Sequence, residues 1–127
     1  MKKYIYIILG LLLFVGIVWL IKAPAKVSKY DDFAKCLKDK GVIFYGAFWC
    51  PHCQAQKARF GTASKYLPYI ECSTPDGQSQ NQTCKDKGIE SYPTWYFINP
   101  ATTTPDIVKG EIELADLAAK TSCVLPQ

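Results

Sequence analysis

Hydrophobic residues are distributed unevenly along the chain, and the longest apolar run lies at the N-terminus. Tyr4 to Ile21 reads "YIYIILGLLLFVGIVWLI", eighteen residues without a charge, with lysines on both sides. Eighteen residues of helix rise about 27 Å, close to the thickness of the hydrocarbon core of a bilayer. We therefore predict a single transmembrane helix that anchors the chain over residues 1–22. A cleaved signal peptide is the alternative, because Ala23 to Ala25 forms an A-x-A-like cleavage site, although the run is long for a signal.

After a polar linker at 23–30, the apolar positions alternate between helical and strand-like spacing. The segment "YDDFAKCLKDKG" has helical spacing, with Asp31 or Asp32 as the cap and Gly41 at the end. The next run, "VIFYGAFW" at 42–49, is almost unbroken, as in a strand that is buried on both faces of a sheet. It leads directly into "CPHCQAQKARFGTASKYL", which has a helical pattern.

Shorter runs complete the pattern. They predict strands at "PYIECS", "TWYFIN" and "DIVKGEI", a brief helix at "CKDKGI" and a closing helix at "ELADLAAKTSC". The order of elements is therefore α-β-α-β-α-β-β-α. A buried strand that feeds a helix, with a β-β pair near the end, predicts an α/β fold, a three-layer α/β/α sandwich in one domain over 31–127.

Charge and cysteine content bear on location and partners. The formal net charge is +4, and no basic block is interleaved with aromatic residues, so we expect no nucleic-acid partner. Lysines are nearly balanced across the apolar run, so the positive-inside rule does not decide its orientation. The chain has six cysteines, and this density is common in exported proteins and rare in a reducing cytosol. We therefore predict a membrane-anchored chain with its folded domain outside the cytoplasm, in the periplasm or at the cell exterior.

The candidate chemistry lies in "CPHC", where Pro51 and His52 separate Cys50 from Cys53 at a strand-to-helix junction. The N-terminus of a helix favours negative charge, so a Cys50 thiolate is stabilised there and becomes a nucleophile. Cys53 lies one turn further in, where it can attack a mixed disulfide formed at Cys50. Pro51 is tolerated in the first turn of the helix. His52 either stabilises the thiolate or is a bystander on the surface.

Other uses of this dithiol fit the sequence less well. Attachment of c-type haem requires a histidine directly after the second cysteine, where this chain has Gln54. A zinc site needs two more ligands, and Cys72 and Cys84 follow Cys53 at nineteen and thirty-one residues, which matches no finger or ribbon. A purely structural disulfide gains little from such a small loop. We therefore predict a redox-active dithiol that requires neither a metal nor a cofactor.

Together, "FWCPHC", the later "YPTW" and the order of elements resemble the thioredoxin superfamily. The resemblance implies a central four-stranded mixed sheet and a cis peptide bond before Pro93, which faces the dithiol. Trp49, Tyr92 and Pro93 would then line the substrate groove, with the Tyr92 backbone free to pair with an extended client segment. The alternative is that Pro93 only starts a strand. The Pro-His pair resembles that of the strongly oxidising DsbA-type enzymes, and implies that Pro51 and His52 tune the potential.

A closer resemblance covers nearly the whole of 31–127. "FYGAFWCPHCQAQKARFG", "YIECSTPDGQSQNQTC" and "GIESYPTWYF" look like the thioredoxin-like domain fused to homologues of vitamin K epoxide reductase. The resemblance implies protein or peptide thiols as substrates and a quinone-linked membrane partner as electron acceptor. The four-helix quinone-reducing part is absent from this chain. Phe44 also departs from the many thioredoxins that carry a buried acid six residues before the first cysteine, so that proton transfer at Cys53 would rely on water or His52.

Three pairings are open to the other four cysteines. The resemblance implies a Cys72–Cys84 disulfide, which leaves Cys36 and Cys123 for each other. A second redox pair at Cys72 and Cys84 is the alternative. In thioredoxin topology the first and last helices lie on opposite faces of the sheet, so a Cys36–Cys123 bond would require the C-terminal tail to wrap an edge.

These observations favour a membrane-tethered, extracytoplasmic thiol–disulfide oxidoreductase that oxidises exported proteins. A reductase or isomerase that serves cytochrome or copper-site maturation is the nearest alternative. A thioredoxin fold that binds a client or copper without turnover is the alternative from another class.

Overall fold

The computed structural model describes residues 2–21, 27–99, 101–102 and 104–127, with the side chains of residues 20 and 21 excepted. The boundary that we predict between the anchor and the linker falls at 22–26, outside the described residues. The first helix, α1, runs from Lys2 to Ile21. Among the described residues it is the one helix that is long and apolar enough to cross a membrane.

The remaining elements follow the predicted order α-β-α-β-α-β-β-α, with one 3₁₀ helix inserted. Their bounds are α2 Asp31–Asp39, β1 Val42–Gly46, α3 Pro51–Phe60, the 3₁₀ helix Gly61–Tyr66, β2 Tyr69–Glu71, α4 Gln82–Asp86, β3 Thr94–Phe97, β4 Asp106–Lys109 and α5 Leu114–Thr121.

The four strands form one mixed sheet in the order β2-β1-β3-β4. β1 is parallel to β2 and antiparallel to β3, and β3 is antiparallel to β4. The first five residues of the apolar run, Val42–Gly46, therefore lie inside the sheet, as predicted, whereas Phe48 and Trp49 follow the strand and are about half exposed. In register, Phe44 pairs with Tyr69 on one side and with Trp95 on the other. The expected thioredoxin-like α/β fold with a four-stranded mixed sheet is confirmed.

The two faces of the sheet are covered unequally. Side chains from α2, α3 and α5 join the residues of one face in the main core, which includes Phe33, Leu37, Phe44, Phe60, Trp95 and Leu117. The other face holds a smaller cluster, formed by Tyr45, Cys72, Cys84 and Ile89 beside the short helix α4. The third layer is thin, since α4 has five residues.

The expectation that the first and last helices of the domain lie on opposite faces is wrong. Phe33 of α2 stacks on Phe60 of α3, with ring centroids 5.8 Å apart, so α2 packs beside α3 and over the same face as α5. Cys36 and Cys123 are bonded to each other within this layer, with Cα atoms 5.9 Å apart. The C-terminal tail therefore has no edge to wrap.

The start of α2 also differs from the prediction. The residue before the helix is Tyr30, and no side chain accepts a capping hydrogen bond from the first turn. Asp31 and Asp32 lie inside the first turn, where their charge is favourable to the helix dipole. One carboxylate oxygen of Asp31 accepts a hydrogen bond from the backbone N–H of Ser28 instead, at 3.3 Å. The predicted end is observed: Gly41 follows α2 with φ at 73°, a conformation that favours glycine.

Candidate active site

The dithiol stands where β1 passes into α3. Cys50 is the N-cap residue of α3, Pro51 occupies the first helical position, and Cys53 lies one turn further along. The proline has no N–H to donate and a fixed φ, and both properties suit this position. The Cys50 N–H donates to the Ala47 carbonyl at 3.0 Å, which closes the turn between strand and helix. Both thiols are free, and their residues are 5% and 1% exposed, respectively.

The two sulfurs occupy different environments. Burial raises the pKa of the Cys53 thiol to about 12, and the neighbouring Cys50 adds to the increase, against a hydrogen bond to the backbone of Ala47. Cys53 therefore stays protonated at neutral pH. Cys50 is the N-cap residue of α3, and the N–H groups in the first turn of a helix have no partner within the helix. The two thiols therefore differ in position, with Cys50 at the start of α3 and Cys53 one turn behind it.

The predicted groove residues lie around Cys50. The peptide bond between Tyr92 and Pro93 is cis. The Tyr92 carbonyl oxygen is 3.7 Å from the Cys50 sulfur. The Trp49 side chain is half exposed and meets the Tyr92 ring edge-on, with centroids 6.1 Å apart. The structure therefore brings Trp49, Tyr92 and Pro93 together with the dithiol.

The loop between the bonded Cys72 and Cys84 lines an open groove together with Trp49 and Tyr92. Ser73 accepts a hydrogen bond from the Trp49 indole N–H at 2.9 Å. Gln80 donates through its amide nitrogen to the Tyr92 hydroxyl at 2.7 Å. This groove has a volume of about 410 Å³ and adjoins the dithiol through Trp49 and Tyr92, but neither Cys50 nor Cys53 lines it. Sequence reasoning missed both residues, because it placed Ser73 at the end of the predicted strand "PYIECS" and gave Gln80 no role.

His52 is on the surface and contacts an acidic residue that lies 59 positions later in the sequence. Its Nδ1 lies 2.8 Å from a carboxylate oxygen of Glu111, and the other oxygen of Glu111 accepts from Arg59 at 3.1 Å. Hydrogen bonds from His52 and Arg59 hold the pKa of Glu111 below its ordinary value. Glu111 was not identified from the sequence, where no pattern connects it to the dithiol.

A buried glutamine holds the segment that carries Glu111. Gln56 of α3 is 0% exposed, and its side-chain amide pairs with the backbone of Ile112 in both directions. Its nitrogen donates to the Ile112 carbonyl at 3.0 Å, and its oxygen accepts from the Ile112 N–H at 2.7 Å. These two hydrogen bonds join residues fifty-six positions apart in the sequence and place Glu111 next to α3.

Phe44, which replaces the expected buried acid, is fully buried and makes two aromatic contacts. It stacks on Trp95 at 4.4 Å and meets the edge of Tyr69 at 5.1 Å. Among the described residues, no group of three or more His, Cys, Asp or Glu side chains is arranged to hold a metal ion.

A model of the thioredoxin family matches residues 24–122, so the chain belongs to the thioredoxin family. It is 46% identical over 99 residues to the thiol-disulfide oxidoreductase LTO1 of Arabidopsis thaliana, a match that covers 74% of this chain and 24% of that protein. It is 28% identical over 74 residues to protein disulfide-isomerase A5 of Bos taurus, covering 53% of this chain and 14% of that protein. The chain thus matches about a quarter or less of the length of these relatives.

Among solved structures, a thioredoxin of Malassezia sympodialis aligns with 76% of this chain and 87% of its own. The sequence identity is 24% and the TM-score is 0.44.

Proposed function

We propose that the chain is a protein thiol–disulfide oxidoreductase whose reaction passes through Cys50 and Cys53. One observation carries the proposal: a sulfur at the start of α3 lies 3.7 Å from the Tyr92 carbonyl, beside an open groove, with a shielded second thiol behind it. The names of the two relatives, an oxidoreductase and a disulfide isomerase, support the same chemistry. The shielded thiol argues against a binding module without turnover, because binding alone needs no resolving group.

In the oxidising direction, a client thiolate attacks the Cys50 sulfur of a Cys50–Cys53 disulfide. The disulfide breaks, a client–Cys50 disulfide forms, and Cys53 leaves as a thiolate that takes up a proton. A second client thiolate then attacks the client sulfur and releases Cys50. The client has lost two electrons and the dithiol has gained them. The reducing direction reverses each step.

The groove supports an extended peptide as the client. The Tyr92 carbonyl beside Cys50 is an acceptor for a client N–H. The exposed Trp49 ring offers an apolar surface, and the 72–84 loop lines the adjoining groove. Such a site recognises backbone and general shape, as suits an enzyme that acts on many exported proteins.

For the direction, we propose an oxidase coupled to a quinone-linked membrane partner that resembles vitamin K epoxide reductase. Two features support it: the Pro-His pair, and the resemblance of the 31–127 segment to the thioredoxin-like domain fused to homologues of vitamin K epoxide reductase. The alternative is a reductase or isomerase, favoured by the similarity to protein disulfide-isomerase A5. The reduction potential of the dithiol distinguishes them, since a value near about −120 mV marks an oxidant and one near about −270 mV a reductant.

For the location, we propose that α1 anchors the chain and that the catalytic domain is outside the cytoplasm. The apolar α1 and the two disulfides at Cys36–Cys123 and Cys72–Cys84 support this arrangement. Membrane fractionation with the intact mass of the mature chain tests the anchor. A soluble chain beginning at Lys26 would show a cleaved signal, and protection of the lysines of the domain from a membrane-impermeant amine reagent in intact cells would place it in the cytoplasm.

Trapping of mixed disulfides tests the reaction itself. Cys53→Ser should accumulate covalent complexes between Cys50 and client proteins, because the resolving thiol is missing. Cys50→Ser should form none. A Cys53→Ser chain that traps no client, or a Cys50→Ser chain that traps as many, would contradict the assigned roles.

A second assay, oxidation of a small dithiol, separates a structural Cys72–Cys84 bond from a relay. Both cysteines are 0% exposed and bonded, which supports a structural role. If they are structural, the Cys72→Ala/Cys84→Ala double variant should still oxidise a small dithiol such as dithiothreitol at the wild-type rate. Loss of that activity in a folded variant would favour a relay.

A further inference from the structure

Resolution of a mixed disulfide by Cys53 requires its thiolate, yet this sulfur is buried and Phe44 fills the place of the expected acid. His52, the other candidate for handling the proton, is directed to Glu111 at the surface. The charge that acts to lower the pKa of the Cys53 thiol comes from a different side chain, Lys57. Lys57 is four residues after Cys53 on α3, so the two side chains share one face of the helix.

Lys57 is held over an aromatic ring that borders the same sulfur. Its Nζ lies 3.2 Å from the centroid of the Tyr69 ring, a cation–π contact across from α3 to β2. Gly46 at the end of β1 marks the gap between these groups. A Cβ at Gly46 would stand 2.8 Å from the Cys53 sulfur and 2.8 Å from Cε2 of Tyr69. The Cys53 sulfur and the Tyr69 ring, over which the Lys57 ammonium lies, therefore border the same small space. Only glycine at position 46 leaves this space open.

Tyr69 is held in place by Glu71, both of whose carboxylate oxygens accept hydrogen bonds. Its hydroxyl donates to one carboxylate oxygen of Glu71 at 2.7 Å. The other oxygen of Glu71 accepts from the backbone N–H groups of Phe48 at 3.2 Å and Ser73 at 2.9 Å. Burial, followed by the contact with Glu71, raises the pKa of Tyr69, so its ring remains a neutral platform.

We infer that Lys57 supplies the positive charge that stabilises the Cys53 thiolate during resolution, and that Tyr69 positions it. The inference rests on the proposed function. In the step concerned, the Cys53 thiol of the client–Cys50 mixed disulfide gives its proton to water. The thiolate attacks the Cys50 sulfur, the Cys50–Cys53 bond forms, and the client–Cys50 bond breaks. The client sulfur leaves with the electron pair as a thiolate.

The electrostatics of the cluster agree with this assignment. Burial is the largest cause of the raised pKa of Cys53, and the charge of Lys57 acts against it. Burial lowers the pKa of Lys57, while Glu71 and Cys53 act in the opposite direction. Once Cys50 is bonded to a client, its own contribution to the raised pKa of Cys53 is gone. Burial then remains opposed by Lys57 and the Ala47 backbone.

The test uses the reduced full-length chain in detergent and the aromatic disulfide 5,5′-dithiobis(2-nitrobenzoate) in excess, mixed by stopped flow from acidic to neutral pH. Attack by Cys50 releases the first thionitrobenzoate, and resolution by Cys53 releases the second. Because an opposite charge nearby lowers a thiol pKa by about one unit or more, Lys57→Met should slow the second phase about tenfold. Its pH profile should move upward by about one unit, with the first phase unchanged. Lys57→Arg keeps the charge and should restore most of the rate.

Lys65→Met is the matched control, because the Lys65 ammonium lies 4.9 Å from the centroid of the Tyr66 ring, a contact of the same kind on the 3₁₀ helix. It should leave both phases at the wild-type rate. An unchanged second phase in Lys57→Met would overturn the inference. Equal slowing of both phases, or failure of Lys57→Arg to restore the rate, would overturn it as well. A wild-type chain that releases no second thionitrobenzoate would instead contradict the proposed function.

Discussion

The double hydrogen bond between Gln56 and the Ile112 backbone makes the sharpest prediction about how the site is held. Gln56→Leu places a side chain of similar size in α3 and removes both hydrogen bonds. The Ile112 N–H and C=O would then be buried without partners, since Gln56 is 0% and Ile112 is 8% exposed. A buried unsatisfied group costs about 1–3 kcal/mol, so the pair should cost about 2–6 kcal/mol of unfolding free energy.

A second glutamine on the same helix provides the control. Gln54 donates to the Phe48 carbonyl at 2.7 Å, but the contact is exposed to solvent. Water replaces that donor in Gln54→Leu, so the loss should be about 1 kcal/mol or less. The two variants replace the same residue type at positions two residues apart on α3, and the replaced side chains differ mainly in burial.

Thermal unfolding of the oxidised full-length chain in detergent, followed by near-ultraviolet circular dichroism, measures the difference. At about 4–8 °C per kcal/mol for a domain of this size, Gln56→Leu should lower Tm by at least about 8 °C. The reduction potential should also change, because Glu111 would lose its fixed place against His52. A Gln56→Leu chain no less stable than Gln54→Leu would refute the reasoning.

Three further predictions concern charge, cross-linking and space. The pKa of Glu111 is lowered, so its carboxylate stabilises the fold at pH values above the ordinary pKa near 4.5, and this contribution is lost as the pH falls through the lowered pKa. Glu111→Gln should therefore lower Tm at neutral pH and make the decline of Tm below pH 4.5 less steep. Cys36→Ala/Cys123→Ala opens a loop of 87 positions and should cost about 4–5 kcal/mol in urea unfolding, while retention of wild-type stability would contradict the chain-entropy estimate. Gly46→Ala places a Cβ 2.8 Å from the Cys53 sulfur and should cost about 1–3 kcal/mol and slow mixed-disulfide resolution, so an unperturbed resolution rate would show that the gap has no role.

Local pattern was informative where one element suffices. The apolar run at 42–49 predicted a buried strand, and its first five residues form β1 inside the sheet with Phe44 fully buried, although Phe48 and Trp49 lie beyond the strand and are half exposed. The change from strand to helical spacing at Cys50 predicted a thiol at a helix start, and Cys50 is the N-cap residue of α3. The prediction of the α2 cap was wrong, because residue type alone does not distinguish an acid before the first turn from one inside it.

The order of elements and the position of the dithiol were thus properties of the sequence by itself, because spacing, turn residues and helix starts act over a few neighbouring positions. Only the tertiary structure decided that α2 packs on the same face as α5, since an amphipathic stripe shows that a helix buries one side but not against which partner. It also decided what surrounds the sulfurs. Glu111 meets His52 across 59 positions of sequence, and the ammonium of Lys57 on α3 lies over the ring of Tyr69 on β2. Such contacts join side chains that no local period connects, so they exist only once the sheet and its helices have packed.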